Sequence, residues 1–355
     1  MSDITAMLVE TATRIFSDHC TKSVLDAAET GAFPQALWSE VEVSGIASML
    51  TPERDGGILA SPADAVSILR VAGRYSAPVP LAETMIARWL FSKATVPIGS
   101  EPTSIVFLRG KTCWQFGGQE SHRTLSGRQQ AVPWGGSVKS ILVVGADEGT
   151  TLGVVEAARL GVQARRNIAG EPRDQLDADK VPFMEVHLPD VNADFVFDLA
   201  SLFRGALICG ALERILELSV LYASDRIQFG RPLSKFQAVQ QQLAVLAGEV
   251  ASATAITDAA ARVVGREDGN LMIAAMRSRL ANAIDTGTAI AHQVHGAIGF
   301  AREYALHSST RRLWAWRDEY GSAVEWRERL GRAFAGTPAD ELWPKLSVIG
   351  AQTES

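Results

Sequence analysis

Residues 204–242 constrain this chain more than any other stretch. The run Arg204-Gly205-Ala206-Leu207-Ile208-Cys209-Gly210-Ala211 is apolar nearly all round, so it predicts a helix covered on every side. Tyr222-Ala223-Ser224-Asp225-Arg226-Ile227-Gln228-Phe229-Gly230-Arg231-Pro232 then turns the chain with basic residues, a glycine and a proline. A second helix follows. Phe236, Val239, Leu243, Leu246 and Val250 recur every three or four residues, the stripe of a bundle helix. Arg226, Phe229 and Gln237 therefore gather at one αα corner. A guanidinium is a planar fork suited to phosphate, and a flat ring can lie against a nucleotide. The same spacing also describes an amphipathic helix pair whose polar residues are merely solvated.

The pattern Arg226-x-x-Phe229-Gly230, followed by Phe236-Gln237, resembles the acyl-CoA dehydrogenase family. The resemblance implies that Arg226, Phe229 and Gln237 contact FAD, partly across a subunit interface. A second segment, Gln293-Val294-His295-Gly296-Ala297-Ile298-Gly299, leaves a helix through glycines that free the backbone to approach a ligand. By the same resemblance Gln293, His295, Gly296 and Gly299 lie on the adenosine diphosphate half of a FAD held mainly by a neighbouring subunit. His295 and Ala297 stand where the family commonly has leucine and glycine. A helix C-cap accounts for one of these glycines in any case. His292 and His295 at spacing three lack a third ligand nearby, so no metal is expected.

Around these motifs the chain changes character twice. Residues 1–100 read as an N-terminal α-helical domain, with Pro62 opening a helix and Ala77-Pro78-Val79-Pro80 breaking the chain before another. Residues 101–195 carry short β-branched and aromatic runs at 104–108, 112–116, 141–144, 152–155 and 184–188, which predict a β-domain, a small barrel or sandwich. In the family the middle domain is a β-barrel. Residues 196–345 predict a four-helix bundle with helices near 199–226, 234–265, 269–296 and 301–317, a shorter helix after Gly321, and a tail at 346–355. The fold class is thus α+β, mainly α. The middle domain departs from the family pattern: Ala131 and Pro133 replace the expected tryptophan and hydroxyl, and Trp134 either substitutes from next door or fills the core.

The 355 residues carry a net charge of −6 with no basic run, which argues against a nucleic-acid surface. Cys20, Cys113 and Cys209 are scattered and read as free thiols of a reducing compartment. No secretory signal is seen at the start, and no run is expected to approach the roughly 18 apolar residues of a membrane span, so a cytoplasmic location is expected.

The family removes two hydrogens from an acyl-CoA, with a carboxylate taking the α-proton. Counted without gaps from Gly299-Phe300, the family's glutamate falls on Tyr320, with Glu319 one residue earlier and Gly321-Ser322 matching Gly-Thr. A slip within a loop puts Glu319 in the pocket. A slip within a helix turns it away by about 100°. Phe203 occupies the other position at which members carry a base. Arg204 matches an arginine near the family's active site, or pairs with Asp198 as a helix-start arginine. The resemblance implies FAD-dependent α,β-dehydrogenation of an acyl-CoA with Glu319 and Arg204 at the chemistry, electrons passing to an electron-transferring flavoprotein, in a homo- or hetero-oligomer (dimer or tetramer). The alternative is a catalytically silent subunit that completes a partner's FAD site.

Overall fold

The computed structural model describes residues 3–109, 114–118, 123–147 and 149–348. Cys113, read above as part of a strand, lies outside the described residues. The chain divides into two compact units. Met1–Ser61 and Pro78–Ala200 form the first, and Pro62–Ala77 and Ser201–Ser355 the second.

The first unit opens with α1 (Asp3–His19), α2 (Lys22–Thr30) and α3 (Gln35–Val43). The Thr21 hydroxyl accepts from the Val24 N–H at the start of α2, and Gly31 closes that helix in the left-handed conformation, φ 110°. The next helix, α4 (Pro62–Arg74), belongs to the second unit. It begins on its proline and carries Asp64 in its first turn, where the helix dipole favours an anion. After the proline break, α5 (Leu81–Lys93) is buried almost all round.

The β-region is built from β1 (Thr103–Phe107), β2 (Gln115–Gly117), β3 (Thr124–Pro133), β4 (Ser140–Asp147), β5 (Gly149–Glu156), β6 (Gly161–Gln163), β7 (Arg173–Pro182) and β8 (Met184–Leu188). It forms two four-stranded sheets, ordered β1-β4-β5-β8 and β2-β3-β7-β6. Only β1 with β4 is parallel; the other pairs are antiparallel. This corrects the barrel expectation. Among the described residues no ladder joins the two sheets, and each keeps two free edges. They share one core instead, with Val106, Ile141 and Val155 from one sheet against Leu125, Val132 and Leu176 from the other. Trp134 belongs to that core. It is 4% exposed and meets Phe33 edge-on at 6.0 Å. Ala131, φ 56°, sits where the β3–β7 register shifts between Gln129 and Val132, so a bulge occupies the place of the family's tryptophan.

The second unit is organised on α6 (Ala193–Asp225), whose first eight residues belong to the first unit. With it run α7 (Gln237–Val263), α8 (Gly269–His295), α9 (Leu306–Trp316), α10 (Ala323–Phe334) and α11 (Ala339–Val348). A short hairpin of β9 (Ile227–Gln228) and β10 (Arg231–Pro232) joins α6 to α7. Leu202, Phe203, Ala206, Ile208, Ala211 and Leu212 of α6 are all fully buried. Two helices, α6 and α7, meet the length and hydropathy of a membrane span, against the expectation that no run would approach it. The apolar window of α6 is 89% buried within the chain, which is the position of a core helix, and that of α7 is 28% buried.

Glycines set the spacing around α6. A Cβ on Gly210 would fall on the Arg70 carbonyl oxygen of α4, and one on Gly73 would fall on the Leu207 carbonyl oxygen. The backbones of α4 and α6 therefore touch where only glycine fits. Gly210→Ala is expected to lower stability by about 1–3 kcal/mol or more, since two backbones must part. Gly331→Ala, on the exposed α10 with open space around it, should instead stabilise by about 1 kcal/mol. Urea unfolding midpoints of the two variants check the contrast.

Candidate functional site

The site residues fall into two constellations within the second unit. The first lies at the end where α6 finishes, α7 begins and α8 finishes. Phe229 and Gly230 form the two-residue tip of the β9–β10 hairpin, both at positive φ (53° and 78°), as a type I′ turn requires. Positive φ is unfavourable for phenylalanine, and its ring is 93% exposed. Arg226, directly after α6, and Gln237, the first residue of α7, are also exposed. Two residues quoted in the motif but given no part in the site, Arg231 and Phe236, brace the tip. The Arg231 guanidinium lies 4.2 Å over the Phe236 ring, and that ring meets Phe229 edge-on at 6.2 Å. A basic residue two positions after an aromatic tip was the available signal.

The end of α8 is tied to the same region through His295. Its ring stacks on Tyr222 of α6 at 4.6 Å. Its Nδ1 lies 2.8 Å from the Ala291 carbonyl and its Nε2 3.2 Å from the Tyr304 hydroxyl. Both nitrogens are thus engaged inside the chain, and the ring is 3% exposed. Gln293 and Gly296 are exposed. Gly296 adopts φ 63°, ψ −143°, a region reserved for glycine, and nothing lies within 4 Å of where its Cβ would stand. Gly299 differs. It is buried, and a Cβ there would crowd Leu306 at 3.0 Å and the His292 Nδ1 at 3.2 Å, so its smallness serves packing.

An exposed ring on a strained tip, a nearby guanidinium, two side-chain amides and an open glycine backbone are the donor set and flat surface that a nucleotide cofactor needs. They fit FAD. Among the described residues no group of three His, Cys, Asp or Glu side chains could hold a metal ion.

The second constellation surrounds Arg204, which is 22 residues before Arg226, about 33 Å along the helix at 1.5 Å per residue. Arg204 is 3% exposed. Its Nε lies 3.0 Å from Glu319 Oε2, and its guanidinium sits over the rings of Trp316 and Tyr320, at 5.6 Å and 5.5 Å. Glu319 and Tyr320 stand in the turn between α9 and α10, not in a helix, and Tyr320 and Gly321 are both left-handed, φ 56° and 104°. The turn is held by donors from three helices. Arg277 Nη2 of α8 donates to the carbonyls of Glu319 (2.6 Å) and Arg317 (3.0 Å), Ser201 Oγ to that of Tyr320 (3.5 Å), and Trp326 Nε1 to that of Gly321 (3.2 Å). Ser322 caps α10 in a capping box with Glu325. Arg277 is a site residue that the sequence reasoning missed.

The histidines at the end of α8 make stability depend on pH. His292 stacks on Phe300 at 4.1 Å and on Trp314 at 5.5 Å. Burial holds both His292 and His295 below the usual imidazole value of 6.5. The folded state therefore prefers the neutral rings. Their contribution is complete above about pH 6.5 and is lost as pH falls through the depressed folded values. Thermal unfolding midpoints should drop as pH falls below about 6.5, and His295→Phe, which keeps a ring against Tyr222, should lose less over the same fall in pH.

Comparison with known proteins identifies the fold. The acyl-CoA dehydrogenase N-terminal domain model matches residues 2–102, and the acyl-CoA dehydrogenase C-terminal domain model matches residues 197–317. Acyl-CoA dehydrogenase IpdE2 of Mycobacterium tuberculosis is 26% identical over 314 residues, spanning 85% of this chain and 88% of that protein. A chain of the ChsE4–ChsE5 complex from Mycobacterium tuberculosis has a similar fold, with TM-score 0.87 and 24% identity over 96% of this chain and 99% of that one. A chain of a Tcur3481–Tcur3483 steroid ACAD variant is similar too, with TM-score 0.84 and 24% identity over 94% and 98%. Matched in both its N-terminal and C-terminal helical regions, and carrying residues that fit the cofactor, the chain belongs to the acyl-CoA dehydrogenase family of FAD-dependent oxidoreductases.

Proposed function

We propose that this chain dehydrogenates an acyl-CoA thioester to the trans-2-enoyl-CoA, with Glu319 as the base that removes the α-proton. The observation that carries this reading is the Glu319 carboxylate on the buried Arg204, in a turn whose main chain is fixed from three sides. A general base needs a defined position and a setting largely shielded from water, and the Glu319 side chain is 19% exposed. Bound FAD supplies the acceptor for the β-hydrogen and its electron pair. Glu319 Oε takes the α-proton, and Arg204 orients the carboxylate and balances its charge.

Arg226, Phe229, Gln237, Gln293 and the Gly296 backbone would hold the adenosine diphosphate half of a FAD. Because about 33 Å of helix separates them from Arg204, the two constellations serve different cofactor molecules, and the working protein is an oligomer. The exposed Phe229 ring and the largely uncovered apolar length of α7 support this. His295 and Gly299 support the cofactor segment from within: His295 pins the end of α8, and Gly299 lets the turn pack. The setting is lipid or steroid side-chain catabolism in the cytoplasm, with electrons passing to an electron-transferring flavoprotein. The steroid assignment draws on the likeness in fold to the Tcur3481–Tcur3483 steroid ACAD variant.

A second reading has its own observation. The Glu319 carboxylate is already committed to Arg204, and the gap-free count puts Tyr320 at the base position. On that reading the chain is a silent subunit of a heteromer that completes its partner's FAD site. The likeness in fold to a chain of the two-component ChsE4–ChsE5 complex supports it.

Glu319→Gln separates the two. If Glu319 is the base, the purified FAD-loaded chain is bleached by an acyl-CoA, and the variant keeps its flavin but is slowed about 10²–10⁴-fold. A parent protein that no acyl-CoA bleaches until a second subunit is added, with Glu319→Gln indistinguishable from it in the heteromer, would assign the silent role. Stopped-flow absorbance of the flavin band reads both outcomes.

A further inference from the structure

Arg277 helps to hold the turn that carries Glu319, yet its chemistry is costly. It sits on α8 with 3% of its surface exposed. One nitrogen, Nη2, lies within hydrogen-bond reach of four main-chain carbonyls: Glu319 at 2.6 Å, Arg317 at 3.0 Å, and Trp316 and Gly321 at 3.4 Å each. Nε and Nη1 are buried without a hydrogen-bond partner among the described residues. Burial and the neighbouring Arg204 press its pKa down to about 10. An apolar side chain of similar volume would fill this space at lower cost, since a buried cation with unfilled donors is a poor way to stabilise a core.

What the side chain does achieve is local. The four carbonyls belong to the last turn of α9 and the link into α10. The end of a helix leaves its final carbonyls unpaired, and a cation placed there satisfies them. The link also holds Tyr320 and Gly321 consecutively in left-handed conformation. That is unfavourable for tyrosine, so the surroundings must impose it. Without the clamp the link loses four of its carbonyl contacts. The long Ser201 bond at 3.5 Å and the Trp326 bond remain, and the strained backbone at Tyr320 is less tightly held. Such a relaxation turns the peptide bond that joins Tyr320 to Glu319, and so shifts the Glu319 carboxylate on Arg204.

We propose that Arg277 is a positioning residue for Glu319: its clamp on the carbonyls of residues 316–321 fixes the turn in which the Glu319 carboxylate lies on Arg204. It need not touch substrate or flavin. The proposal rests on the reading of Glu319 as the base, but its structural half stands on the turn alone.

The test uses the FAD-loaded protein with Arg277→Met, Arg277→Lys and Glu319→Gln in parallel. Two quantities are read: hydrogen–deuterium exchange of the peptide covering residues 316–322, and flavin bleaching by an acyl-CoA at limiting and saturating concentration. Arg277→Met is expected to raise exchange in 316–322 about ten-fold or more while α7 peptides stay at the parental level. It should slow bleaching at saturating substrate about 100-fold, as a displacement near 1 Å does, with half-saturation within about two-fold of the parent. Arg277→Lys, which restores a cation with three donors on one nitrogen but not the planar fork or reach of the guanidinium, should recover part of both. Unchanged exchange at 316–322 in Arg277→Met would overturn the proposal. So would a loss of rate shared equally by half-saturation and maximal rate that lysine does not rescue, since that marks general damage. If Arg277→Met does not fold, Arg277→Lys decides: parental flavin content with faster exchange at 316–322 supports the clamp, and parental exchange overturns it. Should Glu319→Gln bleach as fast as the parent, the base assignment fails, and the exchange data still decide whether Arg277 sets the turn.

Discussion

The second unit depends on one constraint, a helix segment with no polar face. Over residues 201–212 α6 is apolar nearly all round, so that segment can exist in water only if neighbours cover every side. Its glycines make close cover possible: α4 approaches to backbone contact at Gly210, and Met276 of α8 packs at Gly205, where an added Cβ would lie 3.0 Å from its sulfur. The same burial decides the chemistry of Arg204. Arg204 cannot reach bulk water from the middle of α6, so the fold must bring it a counter-charge, and Glu319 is that charge. The Arg204–Glu319 pairing is thus a consequence of the packing that makes the bundle stable.

The distance between the two constellations gives the second consequence. A helix that runs the length of the bundle keeps Arg204 and Arg226 about 33 Å apart, whatever the loops do. On the proposed reading, each chain offers a reaction end and a nucleotide end that serve different cofactor molecules. The exposed Phe229 ring, held in an unfavourable backbone conformation at a hairpin tip, is understandable as a surface that acquires its partner only in an assembly.

Much of this was legible in the sequence because helices announce themselves locally. The expected helix at 269–296 is α8, that at 234–265 is α7, and Pro62 does begin α4. The β-region was read less well. The strand β7 was not anticipated, since Arg173-Asp174-Gln175 looks like a loop. Its carboxylate at Asp174 is 4% exposed and accepts the main-chain N–H groups of Gly136 and Arg165, so polar residues are used inside the sheet. The helix α11 was hidden by Pro344 within it. A barrel was expected by family likeness, and the sheets remain open because closure depends on edge pairings that no local pattern records. Arg277 was invisible for a related reason. Arg277-Ser278-Arg279 reads as a solvated charge run, and Arg279 does pair with Glu249 at 2.6 Å. Only the fold shows that the neighbouring arginine turns inward to a link about forty residues away.

The most direct test of Glu319 as the base is a structure of the assembled protein with FAD and an acyl-CoA bound. The predicted result is a Glu319 carboxylate oxygen about 3–3.5 Å from the acyl α-carbon, still within reach of Arg204, with Arg277 on the same carbonyls. A structure in which the Tyr320 ring faces the α-carbon while Glu319 remains turned away on Arg204, or in which a partner chain supplies the only nearby carboxylate, would contradict it.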